Sequence, residues 1–288
     1  MMNLRRFLAA AVAMMILTSG CGGSKVDTAA AEKLLSQAKE TMATVESMAA
    51  EMTMEMDMSM GGEMIETTTL AKIRSQQDPL KMAMEMSMVM SDGTEVDQMQ
   101  MYAVEADGHL RTYMSTADVW YAETLEMGEL NQYNAEENMD LYLDHITDIS
   151  SMKQEVVNDV QTTKISGVIT GDAMEQAIAD SGLTASAASM GLSEEMLASL
   201  YEELNDLPIS LWIDAEGYVL KYEMDMTEMM QKIMDESMKA LGASEEDTLM
   251  DIEKTTISMV CSQFNAVDDI VIPEEALGVP MGEHIHAE

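Results

Sequence analysis

Five methionines occupy alternate positions from Met52 to Met60, and five more do so from Met82 to Met90. Residues two apart in an extended chain project to the same side, so each run lays a row of thioethers along one face of a strand. Between the first five stand Thr53, Glu55, Asp57 and Ser59, which makes the other face of that strand polar. A helix has a period of 3.6 and would scatter the same methionines around its circumference, so these segments are predicted as sheet. Methionine accounts for 35 of the 288 residues. An unbranched, polarisable side chain that fills irregular space therefore supplies much of the apolar interior. The predicted product is a sheet with one adaptable apolar face, and Met52, Met54, Met56, Met58, Met60, Met82, Met84, Met86, Met88 and Met90 are its candidate ligand-lining residues.

The N-terminus points to export. Arg5 and Arg6 precede an apolar stretch from Phe7 to Leu17, followed by Thr18, Ser19, Gly20 and Cys21. A basic segment, an apolar segment too short to span a bilayer, and small residues at a cleavage point make a secretory signal over 1–20. The small residues leading into Cys21, with Gly22, Gly23 and Ser24 behind it, resemble the lipobox of bacterial lipoproteins. That resemblance implies acylation of Cys21 and a tether over 21–28. Leu17 stands four residues before the cysteine rather than three, and Thr18 fills the usual leucine place. Two acyl chains make a durable anchor, so the expected location is the outward face of a membrane.

Charge narrows the partners. Removing 1–20 deletes two of the 15 basic residues and none of the 53 acidic ones, leaving a formal charge of -40. Such a chain repels phosphate backbones, so no nucleic acid is expected. With Cys21 acylated, Cys261 is the remaining cysteine and no internal disulfide can form. Its setting, Thr256-Ile257-Ser258-Met259-Val260, favours a small buried apolar role.

Turn signals divide the rest. Ala29 to Ser47 carries Leu34, Leu35, Ala38, Met42 and Val45 at helical spacing. Strands are predicted at 48–60, 63–74, 80–91, 94–105, 109–115 and 118–125, joined at Gly61-Gly62, Gln77-Asp78-Pro79, Asp92-Gly93 and Asp107-Gly108. Long strands with tight hairpins make a twisted antiparallel meander. A helix is predicted over 134–151, strands at 154–161 and 163–171, and a helix from Asp172 to about 181. A Ser/Ala/Gly-rich connector over 182–192 and a helix over 193–205 follow. A hairpin from Pro208 to Thr227, a helix over 228–241 and a strand over 251–265 complete a single domain over 29–277, with a tail over 278–288.

The hairpin Leu211-Trp212-Ile213-Asp214-Ala215-Glu216-Gly217-Tyr218-Val219-Leu220-Lys221-Tyr222-Glu223-Met224, the strand end Phe264-Asn265-Ala266-Val267-Asp268-Asp269-Ile270 and Ile272-Pro273-Glu274-Glu275-Ala276 resemble exported Firmicutes lipoproteins of the DUF6612 type. These in turn resemble the LolA, LppX and LprG group. The resemblance covers most of 30–277. It implies an α+β fold, a strongly curved antiparallel half-barrel with helices packed on its concave face, often around a cavity that accepts acyl chains. It supplies no catalytic motif.

The leading expectation is a membrane-anchored lipoprotein that binds an apolar or amphipathic, lipid-like ligand in a methionine-lined cavity. Trp120 and Trp212 are candidate residues at its mouth, since amphipathic rings suit a boundary between cargo and water. One alternative is a noncatalytic structural or interaction module of the cell envelope, its methionines serving packing alone. Another is Cu(I) binding, because thioethers are soft ligands; against it, methionines also stand at helical positions such as Met139, Met229 and Met234, so the bias is global. His284 and His286 flank Ile285 and have the spacing of a Zn²⁺ or Cu²⁺ pair, but near the chain end they are better read as tail. Neither a Ser-His-Asp arrangement nor a phosphate-binding glycine motif is evident, so an enzyme is not expected and no cofactor or metal is implied. If the ladders are buried, peroxide is expected to spare them and to attack Met281 first.

Overall fold

The computed structural model describes residues 26–116, 119–125, 135–171, 173, 206–240 and 250–282. Cys21, His284, His286 and the elements expected over 174–205 lie outside these residues. The twelve described strands form one sheet: β1 (Ser47–Met60), β2 (Glu63–Gln76), β3 (Lys81–Met90), β4 (Glu95–Ala106), β5 (His109–Thr116), β6 (Val119–Leu125), β7 (Ile146–Val157), β8 (Val160–Ile169), β9 (Leu207–Ile213), β10 (Val219–Asp225), β11 (Met250–Ser262) and β12 (Met281–Gly282). Their order is β12-β6-β5-β4-β3-β2-β1-β11-β10-β9-β8-β7, antiparallel throughout except where β12 runs parallel to β6. The sheet is curved and unclosed, the α+β architecture expected from the sequence.

Turn chemistry sets the hairpins. Gly61 and Gly62 have φ of 60° and 87°, and Asp107 and Gly108 have 59° and 80°. Two consecutive positive φ values match the right-handed twist of the flanking strands and hold them in register. Around β1 that register is unbroken on the β2 side, from Ser47 opposite Gln76 to Met60 opposite Glu63.

Helices cover one face of the β7–β11 half. Helix α1 (Thr28–Met42) starts at Asp27, whose carboxylate accepts the Ala30 N–H at 3.1 Å. Its buried residues Ala31, Leu35, Ala38 and Met42 recur at three- and four-residue spacing and pack on Ile165, Leu211, Tyr222 and Cys261 of the sheet. Burying Leu35 and Met42 stabilises by roughly 1.5–3 kcal/mol each. Helix α2 (Ala135–His145) brings Met139 and Leu143 into the same core, and Lys39 of α1 pairs with its Asp144 at 2.5 Å. The β9–β10 turn docks beneath α1. Gly217 has φ 96°, and a Cβ there would lie 2.5 Å from Thr41 Oγ1, so only glycine permits this approach.

Helix α3 (Thr227–Ala240) lies against β11. After Ser262 the chain crosses beneath β1–β3: Asn265 N–H donates to Ser47 O, Ile270 N–H to Gln76 Oε1, and Asp269 pairs with Lys81. The short helix α4 (Glu274–Leu277) then buries Ala276 against Tyr113 and Ala122. Met281 and Gly282, in the segment expected as tail, pair with Ala122 and Glu123 as β12.

The helix expected over 134–151 ends at His145, and 146–157 is strand. Ile146, Ile149 and Met152 recur every three residues, which mimics a helix. The cause is a bulge in β7 between Thr147 and Ser151, where Asp148 takes φ 45° and resets the alternation so that all three reach the core. The following turn falls at Asn158-Asp159, with φ 48° and 64°, rather than near residue 162.

Candidate functional site: a methionine face

Cross-strand register converts separate ladders into one surface, because directly opposed residues share a face. One row runs Met99–Met86–Ala71–Met52–Met259–Tyr222–Leu211–Ile165–Met152. A second runs Met114–Met101–Met84–Ile73–Ala50–Cys261. The structure therefore places all ten ladder methionines on one side of the sheet and adds Met99, Met101, Met114, Met152 and Met259. The sequence signal for Met99 and Met101 was their own alternation; the others needed the register.

This face has two ends of different character. Met48, Met82, Met84 and Met101 are buried, whereas Met52, Met54, Met56, Met58, Met86, Met88 and Met90 are half-buried and Met60 is 48% exposed. Met52 and Ile73 belong both to the helix-covered core and to the methionine cluster of β2–β5. The ladders are thus not uniformly interior. Toward the Gly61-Gly62 turn they present an apolar strip, while Met64, 54% exposed, stands opposite Ser59 on the other face.

Both tryptophans depart from the expected position. A third row, on the opposite face, runs Trp120–Ser115–Gln100–Glu85–Lys72–Glu51–Val260–Lys221–Trp212–Lys164–Lys153. Trp212 is buried between the ammonium groups of Lys164 and Lys221, 4.3 and 4.5 Å from its ring centre, while Trp120 packs near Tyr102. The reason is parity: each tryptophan sits at an odd step from the methionine-bearing residues of its neighbours, and a period of two leaves no other choice.

Polar groups near the methionine face are few. Tyr142 of α2 meets Tyr222 at 5.1 Å between ring centres, and burial pushes the Tyr142 phenol up to about 12 and the Cys261 thiol up to about 12. Both stay neutral at physiological pH. Thr67 and Thr255 flank Met56 from either side, and Thr69 lies between Met54 and Met88. A groove of about 410 Å³ opens at the start of α3, among Asp225, Thr227, Glu228, Lys232, Glu253 and Lys254. No ladder methionine lines it. Among the described residues no group of three or more His, Cys, Asp or Glu side chains is placed to hold a metal, and no helix is long and apolar enough to cross a membrane.

The model of the DUF6612 family, a family of unknown function, matches residues 30–279. This chain belongs to that family. No curated protein matches its sequence. In overall fold this DUF6612 protein is similar to the lipoprotein LppX of Mycobacterium tuberculosis, at 15% identity and a TM-score of 0.47 over 84% of this chain and 99% of that one. It is also similar to LprF of Mycobacterium bovis, at 10% identity and 0.45 over 86% and 98%. A LolA superfamily protein from Nitrosomonas europaea matches at 9% identity and 0.20 over 85% and 96%.

Proposed function

We infer that this protein is an envelope lipoprotein, acylated at Cys21, that binds an apolar or amphipathic lipid-like ligand on its methionine face. The observation that carries the reading is the placement of both ladders on one sheet face with their outer halves incompletely buried. A half-covered strip of thioethers is costly to leave in water and adapts to chains of varied shape. Its flanking groups are threonine hydroxyls rather than acids or bases, which favours a neutral hydrocarbon-bearing partner over an ion.

Gentle extraction followed by native mass spectrometry tests the binding. Ligand-bound mass, or saturable uptake of a fatty-acyl probe by the delipidated protein, is the expected result. A protein that is empty as isolated and takes up no such probe overturns it and leaves the packing-only envelope module. Radiolabelled acyl donor should enter wild-type protein but not Cys21→Ala.

Cu(I) is the second reading, favoured by Met84, Met101 and Met114 standing directly opposite one another across β3–β5. Anaerobic Cu(I) titration of wild type against a Met84→Leu/Met101→Leu variant decides it, since that exchange preserves volume.

A further inference from the structure

Thr255 is fully buried, and its Oγ1 is the one buried side-chain polar atom among the described residues without a hydrogen-bond partner. Its backbone is satisfied. Beyond Asp225 the edge of β11 is no longer covered by β10, and α3 takes over: Met226 N–H donates to Thr255 O at 2.8 Å, and Thr255 N–H donates to Thr227 Oγ1 at 2.9 Å. The side chain alone is unaccounted for. Valine has the same shape, and a buried hydroxyl with no partner is destabilising relative to an apolar replacement. The hydroxyl projects onto the methionine face, directly opposite Met56 and next to Ile257 and Ile252 on the same side of β11.

We propose that Thr255 is the polar anchor of the ligand site, donating its hydroxyl proton to a neutral acceptor oxygen of an amphipathic lipid, such as an ester carbonyl, while the hydrocarbon lies along Met56, Met54 and Met52. This rests on the lipid-binding reading above and adds the class of headgroup. On that face the residues in register with Met56, Met54 and Met52 are Thr67, Thr69, Ala71, Ile257 and Met259, none of them charged, which suits a neutral oxygen rather than an anion. Reaching a hydroxyl closed off from solvent requires the first turn of α3 to rise from β11. Besides its side-chain packing, the ties to break are the Thr227 hydroxyl, the Met226 N–H and the bond from Ile252 N–H to Gln231 Oε1.

The experiment uses the delipidated full chain, with the methyl ester of a long-chain fatty acid and the alkane of equal length as probes. Wild type should prefer the ester. Thr255→Val should lower the ester-to-alkane affinity ratio roughly three- to tenfold, the worth of one hydrogen bond, and Thr255→Ser should retain it. Unliganded Thr255→Val should also melt higher than wild type. If both probes bind and the ratio is the same in wild type and Thr255→Val, the anchor is refuted while lipid binding stands. If wild type binds neither, the binding reading itself falls and the anchor with it.

Discussion

Trp212 donates its indole N–H to Glu155 Oε2 at 2.7 Å, across the face of the sheet that carries no methionine ladder. The ring is 4% exposed because Lys164 and Lys221 lie over it. A tryptophan held this way is a structural clamp on β7–β10. Trp212→Ala should destabilise the protein by about 3–5 kcal/mol in chemical denaturation and leave the probe affinities of the refolded protein unchanged. A variant of wild-type stability that had lost probe binding would restore Trp212 to the ligand site.

Methionine oxidation should follow exposure. Met60, Met64 and Met281 are 48%, 54% and 38% exposed, whereas Met82, Met84 and Met101 are 5%, 7% and 5%. Limited peroxide followed by peptide mapping should modify the first three early and the last three only as the protein unfolds, since a sulfoxide brings a polar group into the core. Bound ligand should slow oxidation of Met54, Met56 and Met58. Equal rates at Met60 and Met84 would show that the inner end of the ladder is open to solvent and would overturn the buried-core reading.

Cys261 and Tyr142 give an alkaline limb to the stability profile. Burial raises the Cys261 thiol from 9.0 to about 12 and the Tyr142 phenol from 10.0 to about 12. A group whose folded value is raised stabilises fully below its unfolded value, and that stability drains away as pH climbs through the folded value. The loss should therefore begin near pH 9 and deepen toward 12. Denaturation midpoints against pH should show a flatter limb in Cys261→Ala. A chromogenic disulfide reagent should leave Cys261 unmodified until denaturant is added.

On the opposite side of the pH scale, Lys254 hydrogen-bonds Glu55 and adds its charge, holding that carboxyl below the ordinary carboxylate range. A depressed value stabilises above the unfolded pKa and is lost as pH falls through the folded one. Both side chains are nearly half exposed, at 47% and 44%, so the contribution stays under about 1 kcal/mol and shrinks in salt. Glu55→Gln should soften the acid limb by that amount at low ionic strength and leave the neutral plateau almost unmoved.

Period and turn chemistry are local, and at those points the sequence was sufficient. Alternation from Met52 to Met60 and from Met82 to Met90 required strands, and Gly61-Gly62 and Asp107-Gly108 required tight hairpins, because only such residues accept consecutive positive φ cheaply. The β7 region misled for an equally local reason: a bulge at Asp148 spaces Ile146, Ile149 and Met152 as a helix would. What alternation by itself leaves open is the side of the sheet on which a residue far along the chain emerges. That is fixed by accumulated register through eleven strand pairings and their bulges, and a single step of slip exchanges the faces. Hence Met259 joins the ladders from a strand some two hundred residues away, while Trp120 and Trp212 fall on the other side. The unpartnered hydroxyl of Thr255 is likewise a tertiary fact, since it depends on β10 ending at Asp225 and on α3 closing the edge that β10 leaves.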